Sequence, residues 1–243
     1  MNWRTDIKAM FINLPSRKDR RVNMEREFRR VGFEAERFVG LLPEECTNDT
    51  LQYAVMNSRT RGAIGCHYSQ VGVMKEALKE DKHAMVLEDD LVFCSDFTKR
   101  LDYICNYLDG KQWDVFWLGG TYHRDAVWHK ANHPNGLPCD CTLNRDWEHT
   151  QDARIVRTYG AFSTHAYIVN KDSIPKILAL LEANVYRSIG IDYLFILLQP
   201  KLLTFAFVPG CVKQYDNASN IGDGVTKFSV FSRLGSHWFS DKM

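Results

Sequence analysis

Along the first 120 residues the apolar positions switch repeatedly between a strand-like and a helix-like spacing. Lys8–Leu14 is a short apolar run of strand length. Met24, Phe28 and Val31 then fall at i, i+4 and i+7, one face of a helix. Ser16 and Asp19 stand at its start like a variant capping box, and Gly32 sits where a C-cap belongs. Glu36–Gly40 reads as a second short strand. Ile64, His67/Tyr68, Val71, Met74 and Leu78 give a helix over Gly62–Leu78. Ala84–Phe93 is a further strand. Ser95 or Asp96 caps a helix with Phe97, Leu101, Ile104 and Leu108 on one face and Gly110 after its end. Trp113–Leu118 is again a strand.

Thr121–Thr158 breaks this rhythm. It is polar, rich in His, Asn, Asp and Trp, and carries Pro134, Gly136 and Pro138, so a long irregular insertion is expected. Order returns at Tyr159–Val169, a strand. Asp172 or Ser173 then caps a helix with Pro175 in its first turn. Ile191–Gln199 is a short helix stopped by Pro200, Leu202–Val208 is a strand, and the tail from Pro209 reads as loop. The alternation predicts one domain over residues 1–243, of α/β class. A mostly parallel sheet would carry helices on both faces. In such sheets ligands bind outside the carboxyl ends of the strands.

Composition narrows the function. The formal net charge is +1, from 31 Lys and Arg against 30 Asp and Glu. A dedicated nucleic-acid binder would be more basic, so no nucleic-acid partner is expected. The basic residues Arg17, Lys18, Arg20, Arg21, Arg26, Arg29 and Arg30 read mainly as a solvated helix face. Met1 to Asp6 is polar, and Ala9–Ile12 is too short for a signal core. The longest apolar stretches fall far short of the ~20 residues that span a bilayer. The expectation is a cytoplasmic protein, with peripheral membrane contact left open. Seven scattered cysteines, an odd number, are expected to be reduced thiols. Cys139-Asp140-Cys141, with His123, His129 and His133 upstream, matches no standard zinc spacing.

The run Met85–Phe93 carries the chemistry. An apolar strand delivers Glu88-Asp89-Asp90 and then turns apolar again. Buried carboxylates without partners are costly, so each needs a cation, a donor or water. Alternate strand residues share a face, which puts Glu88 with Asp90 and turns Asp89 the other way. Such a pair can hold one hard divalent cation, with substrate phosphates completing the shell. Against this stands a strand end whose acids are merely solvated. The small residues Gly62, Ala63, Gly65, Cys66 and Ser69 crowd the start of the third helix. They fit either close helix packing or backbone approaching a phosphate, and the residues alone do not separate the two.

Four segments occur in order along the chain. They are Phe11-Ile12-Asn13-Leu14 with Arg17 and Arg20; Gly62 with Gly65-Cys66 and Ser69; Leu87-Glu88-Asp89-Asp90; and Gly160 with Thr164-His165-Ala166-Tyr167. Val208-Pro209-Gly210, Gln214 and Ser219-Asn220-Ile221 follow. Together they resemble glycosyltransferase family 25, the lipopolysaccharide-type galactosyltransferases related to collagen galactosyltransferases. The likeness runs from about Ala9 to about Ile221. It departs at Ser69-Gln70, where the family often has Ser-His.

The resemblance implies a GT-A-type fold and inverting transfer of a hexose, galactose or glucose, from a UDP-sugar. It also implies Mn²⁺ (or Mg²⁺) and a glycan, lipid-linked glycan or protein acceptor. Carried onto this sequence, Glu88-Asp89-Asp90 is the acidic metal motif, with Asp90 the first choice for metal contact and Glu88 beside it. Asn13, Leu14, Arg17 and Val39 would line the nucleotide pocket, with Gly62, Gly65 and Ser69 as its wall. Gly160 and His165 would lie on the acceptor side. Asp192, in Gly190-Ile191-Asp192-Tyr193, is the candidate general base, or else only a helix N-terminal acid. His237 is a further candidate metal ligand. The rival readings are a metal-dependent phosphoesterase or nuclease, and a catalytically inactive carbohydrate-binding relative.

Overall fold

Strands form where apolar residues alternate between two cores, and the structure has one core on each side of its main sheet. This computed structural model of the chain describes residues 1–46, 58–121, 147–184 and 190–215. In chain order the elements are α1 Trp3–Asp6, β1 Ile7–Asn13, α2 Lys18–Val31, β2 Glu36–Val39, α3 Ser58–Lys79, β3 His83–Leu87, β4 Leu91–Phe93 and α4 Phe97–Leu108. Then come β5 Val115–Thr121, β6 Trp147–His149, β7 Ile155–Thr158, β8 Phe162–Val169, α5 Ile174–Asn184, α6 Ile191–Leu198, β9 Thr204–Phe207 and β10 Val212–Gln214.

Eight strands form the main sheet in the order β2-β1-β3-β8-β5-β9-β7-β6. β1 runs parallel to β2 and β3, and β5 parallel to β9. β8 is antiparallel to both its neighbours, and β7 is antiparallel to β9 and β6. All strands but β8 and β7 therefore point the same way, as expected for a mostly parallel α/β sheet.

Side-chain parity explains the two layers of helices. Phe11, Met85, Leu87, Phe116 and Ile168 face α2 and α4, where Met24, Phe28, Phe97, Leu101 and Ile104 close the core. Met10, Val86, Trp117, Tyr167 and Ala206 face α3, α5 and α6, against Met74, Ala77, Ile177, Leu194 and Phe195. Gly32 ends α2 at φ 64°, and its N–H reaches the Phe28 carbonyl. That left-handed turn suits glycine.

Several sequence expectations need correction. Arg17, not Ser16, is the N-cap of α2, and it makes no side-chain cap bond. Asp19 instead accepts two bonds from the Arg17 guanidinium, at 3.0 and 2.9 Å. The short 3-10 turn Lys171–Ser173 that leads into α5 is itself capped by Asn170, whose side chain accepts from the Asp172 N–H. The irregular stretch expected over 121–158 is shorter. Thr121 still belongs to β5, and β6 and β7 form an antiparallel hairpin on the sheet edge. Residues 122–146, with Cys139, Cys141 and the three histidines, lie outside the described residues.

The strand expected over Ala84–Phe93 is broken in two. β3 ends at Leu87, Glu88-Asp89-Asp90 form a bend, and β4 leaves the main sheet. The tail after Pro209 is not all loop. β10 pairs antiparallel with β4, Gln214 opposite Leu91.

Candidate functional site

The carboxyl ends of β1, β2 and β3 lie side by side, Asn13 paired with Val39 and Phe11 with Leu87. The bend after Leu87 brings its three acids to this edge. The Glu88 N–H donates to the His165 carbonyl at 2.8 Å. This fastens the start of the bend to β8, whose N-terminal end reaches the same edge because β8 runs backwards.

The acids divide as strand parity predicted, although the cause is a bend and not a continuous strand. Asp89 turns inward. It accepts from Asn13 Nδ2 at 2.7 Å and from Arg20 Nη1 at 2.7 Å. Glu88 and Asp90 turn together to Gln214, whose Nε2 donates to Glu88 Oε2 at 2.8 Å and Asp90 Oδ1 at 3.2 Å. Arg20 also lies 3.2 Å from Asp90 Oδ2. Gln214 is delivered by β10, and the Tyr215 N–H donates to the Asp90 carbonyl at 3.0 Å. The small β4–β10 sheet thus clamps the bend from outside.

Among the described residues, acidic groups are concentrated here. Burial raises Glu88 well above the usual carboxylate range, and Asp90, Asp192 and Asp89 push it further while Arg20 opposes them. Burial also raises Asp90, against the pull of Arg20. Among the described residues, no three His, Cys, Asp or Glu side chains make a metal site by themselves. The donor set nonetheless fits a hard divalent cation. Two neighbouring carboxylates turn the same way and share one amide donor, Gln214, and such ions commonly take one or two carboxylates plus substrate phosphates.

Asp192 lies in the first turn of α6. Its Oδ1 accepts from the Thr164 N–H at 2.8 Å and from the Thr164 hydroxyl. Burial raises its pKa, and both Thr164 bonds oppose the rise. It is linked to Glu88 by contacts: the Cys66 thiol lies 4.0 Å from Glu88 Oε1 and 3.5 Å from Gln70 Nε2, and Gln70 bonds Thr164. Gly190, not Asp192, is the N-cap residue of α6.

The remaining candidates are placed as follows. Asn13 is buried. Its amide donates to Asp89 and the Arg17 carbonyl, and its oxygen accepts from Arg37 Nε at 3.0 Å, so its side chain organises the edge. Leu14 is half-buried and its carbonyl accepts from the Arg17 N–H at 3.0 Å. Val39 is exposed at the strand end. Gly62 is half-buried at the start of α3.

Gly65 and Ser69 have a packing explanation. A Cβ at Gly65 would sit 2.4 Å from the Leu41 carbonyl oxygen. Ser69 Oγ accepts from the Leu41 N–H at 2.8 Å and donates to the Gly65 carbonyl at 2.6 Å. Small residues let α3 lie directly on the loop after β2. Gly160 is buried just before β8. His165 is buried, with burial lowering its pKa to about 4. Its ring nitrogens have no hydrogen-bond partner, the Val212 carbonyl being the nearby acceptor. Its backbone carbonyl serves the bend. His237 and Ser219-Asn220-Ile221 lie outside the described residues.

Sequence reasoning gave Thr164 no duty of its own and read Gln70 only as a departure from the family pattern. Gln70 is fully buried and bonds Thr164, which in turn bonds Asp192. A polar residue on the apolar face of α3 was the available signal.

The fold and site define an α/β protein with a cluster of acidic side chains at the carboxyl edge of its sheet. The model for "Glycosyltransferase family 25 (LPS biosynthesis protein)" matches residues 6–195, and the chain belongs to that family. Among curated relatives, a human protein named procollagen galactosyltransferase 2 is 33% identical over 129 residues, 46% of this chain and 20% of that protein. A Drosophila melanogaster protein named glycosyltransferase 25 family member is 29% identical over 126 residues, 46% of this chain and 21% of its own length. The matched stretch thus spans about a fifth of these relatives. A crystal structure of mouse xyloside xylosyltransferase 1, apo form, covers 95% of this chain and 79% of its own, at 12% identity and a TM-score of 0.44. Among the described residues no helix is long and apolar enough to cross a membrane.

Proposed function

We propose that the chain is a glycosyltransferase that moves a hexose, galactose or glucose, from a UDP-sugar to a hydroxyl acceptor with inversion. The acceptor class is a glycan, a lipid-linked glycan or a protein side chain. The observation that carries this reading, within the family, is the joint orientation of Glu88 and Asp90 toward Gln214 beside Asp192. Asp90 and Glu88 would hold Mn²⁺ or Mg²⁺, which when bound supplies Lewis-acid stabilisation of the departing diphosphate. Asp192 is the general base. It belongs to the same acidic cluster, and its burial-raised pKa brings its proton affinity nearer to that of a working base at neutral pH. Arg20, held by Asp89 and Asp90, adds fixed positive charge. Arg17, tied to Asp19, stands at the turn after β1. A cytoplasmic location, with peripheral contact to a membrane-held acceptor, belongs to the same proposal.

The test is a UDP-sugar panel with and without MnCl₂, read by thermal stabilisation and UDP release. UDP-galactose or UDP-glucose should stabilise the wild type only with Mn²⁺, and Asp90→Ala should lose both signals while folding normally. Wild-type turnover in Asp90→Ala would remove its metal role. Sugar-independent cleavage of a simple phosphate ester would favour a phosphoesterase instead.

A further inference from the structure

Behind Asp192 runs a buried hydrogen-bond chain that the reaction as stated does not use. The Tyr167 hydroxyl donates to Gln70 Oε1 at 2.7 Å. Gln70 Nε2 donates to Thr164 Oγ1 at 3.2 Å and lies 3.4 Å from the Thr164 carbonyl. The Thr164 hydroxyl donates to Asp192 Oδ1. Gln70 and Tyr167 are fully buried and Thr164 nearly so.

The polarity of this chain is fixed from both ends. A carbonyl can only accept, so the Gln70 atom facing the Thr164 carbonyl must be the amide nitrogen. Its oxygen then faces Tyr167, which must donate. Thr164 Oγ1 accepts a hydrogen bond from Gln70, and an ionised Asp192 offers only acceptors. The hydroxyl proton of Thr164 therefore points at Asp192. Both Thr164 bonds fall on Oδ1, which leaves Oδ2 without a hydrogen-bond partner among the described residues.

An irregular strand makes this arrangement. Thr164 and Tyr167 both reach Gln70 on α3, three residues apart, which a regular strand forbids. The register between β5 and β8 shifts between Trp117 and Gly119, opposite this segment, and Ser163 has a φ of 73°. Such irregularities re-aim side chains beside functional sites.

We infer that Thr164, set by Gln70 and Tyr167, is a positioning residue. It ties down one carboxylate oxygen of Asp192 and leaves the other for the acceptor hydroxyl. The inference rests on Asp192 as the base. The titratable groups on which the Asp192 charge acts are Glu88 after β3, Cys66 on α3 and Tyr167 on β8.

The test compares wild type, Thr164→Val, Thr164→Ser, Gln70→Leu and Asp192→Asn, using UDP-galactose with MnCl₂ and water as the acceptor. Thr164→Val should slow UDP release on the order of ten- to a hundredfold with UDP affinity unchanged, as for a displaced catalytic group. Thr164→Ser should restore the rate, and Gln70→Leu should show a smaller loss. The acidic limb of the pH–rate profile should move to higher pH in Thr164→Val, because a donor to the ionised form is gone.

Independently of turnover, the melting temperature of Thr164→Val should fall further below wild type as pH rises above the ordinary carboxylate range. A packing defect alone would give the same gap at every pH. A constant gap, or a wild-type rate and profile in Thr164→Val with Asp192→Asn inactive, overturns the inference and leaves the base standing. Wild-type turnover in Asp192→Asn overturns both.

Discussion

At the scale of residues, adjacent acids have opposite energetics. Asp89 and Arg20 are both 7% exposed and form a buried pair completed by Asn13. Removing one partner of such a pair strands the other charge, at a cost of about 3–5 kcal/mol. Asp90 is different, because its burial and the neighbouring Asp89 disfavour its charge. Asp89→Ala should therefore destabilise the fold by roughly that amount, while Asp90→Ala should leave stability unchanged or raised near neutral pH. Urea unfolding of both variants decides it, and equal losses would undo the division of labour. The division itself was legible in the sequence, because parity separates i and i+2 from i+1 whether the chain stays extended or bends just after the strand. The role of Asn13 was not. Asparagine at a strand end signals a ligand edge, but which partners use its amide depends on Asp89 and Arg37, which are remote in sequence.

At the scale of elements, local periodicity revealed those whose partners are hydrophobic layers. β1, α2, α4 and α6 follow from spacing alone, and Gly32 marks its cap. Elements defined by pairing were hidden. β4 and β10 have three residues each, too few for a pattern to register, and exist because each satisfies the other's backbone. The β6–β7 hairpin is masked in sequence by its polar surroundings. The third helix posed a choice between packing and phosphate approach that only coordinates could inform. A Cβ at Gly65 would meet backbone, the Leu41 carbonyl oxygen at 2.4 Å, with no flexible side chain to yield. Gly65→Ala should move α3 off the loop after β2 and cost about 1–3 kcal/mol, typical of overpacking. A melting temperature equal to wild type would show that the loop gives way freely.

At the scale of the whole molecule, the site works against the stability of the protein that holds it. Glu88, Asp90 and Asp192 all have native pKa values raised by burial. Between the ordinary carboxylate pKa and those raised values, the native state binds more protons than the unfolded chain. Stability of the metal-free protein must then fall as pH rises through that window. A divalent cation at Glu88 and Asp90 binds the ionised form, so its effect has the opposite slope. MnCl₂ alone should therefore raise the melting temperature little at mildly acidic pH and progressively more toward pH 8. The two curves, with and without metal, should diverge as pH rises, and Asp90→Ala should bring them together. A metal-induced shift that stays flat across pH, or that persists in Asp90→Ala, would place the cation elsewhere. The acids would then be a strain that the fold carries for another ligand. Divergence would mean that the strain is relieved by the cation itself. The acidic bend would then be a site completed by metal and substrate together.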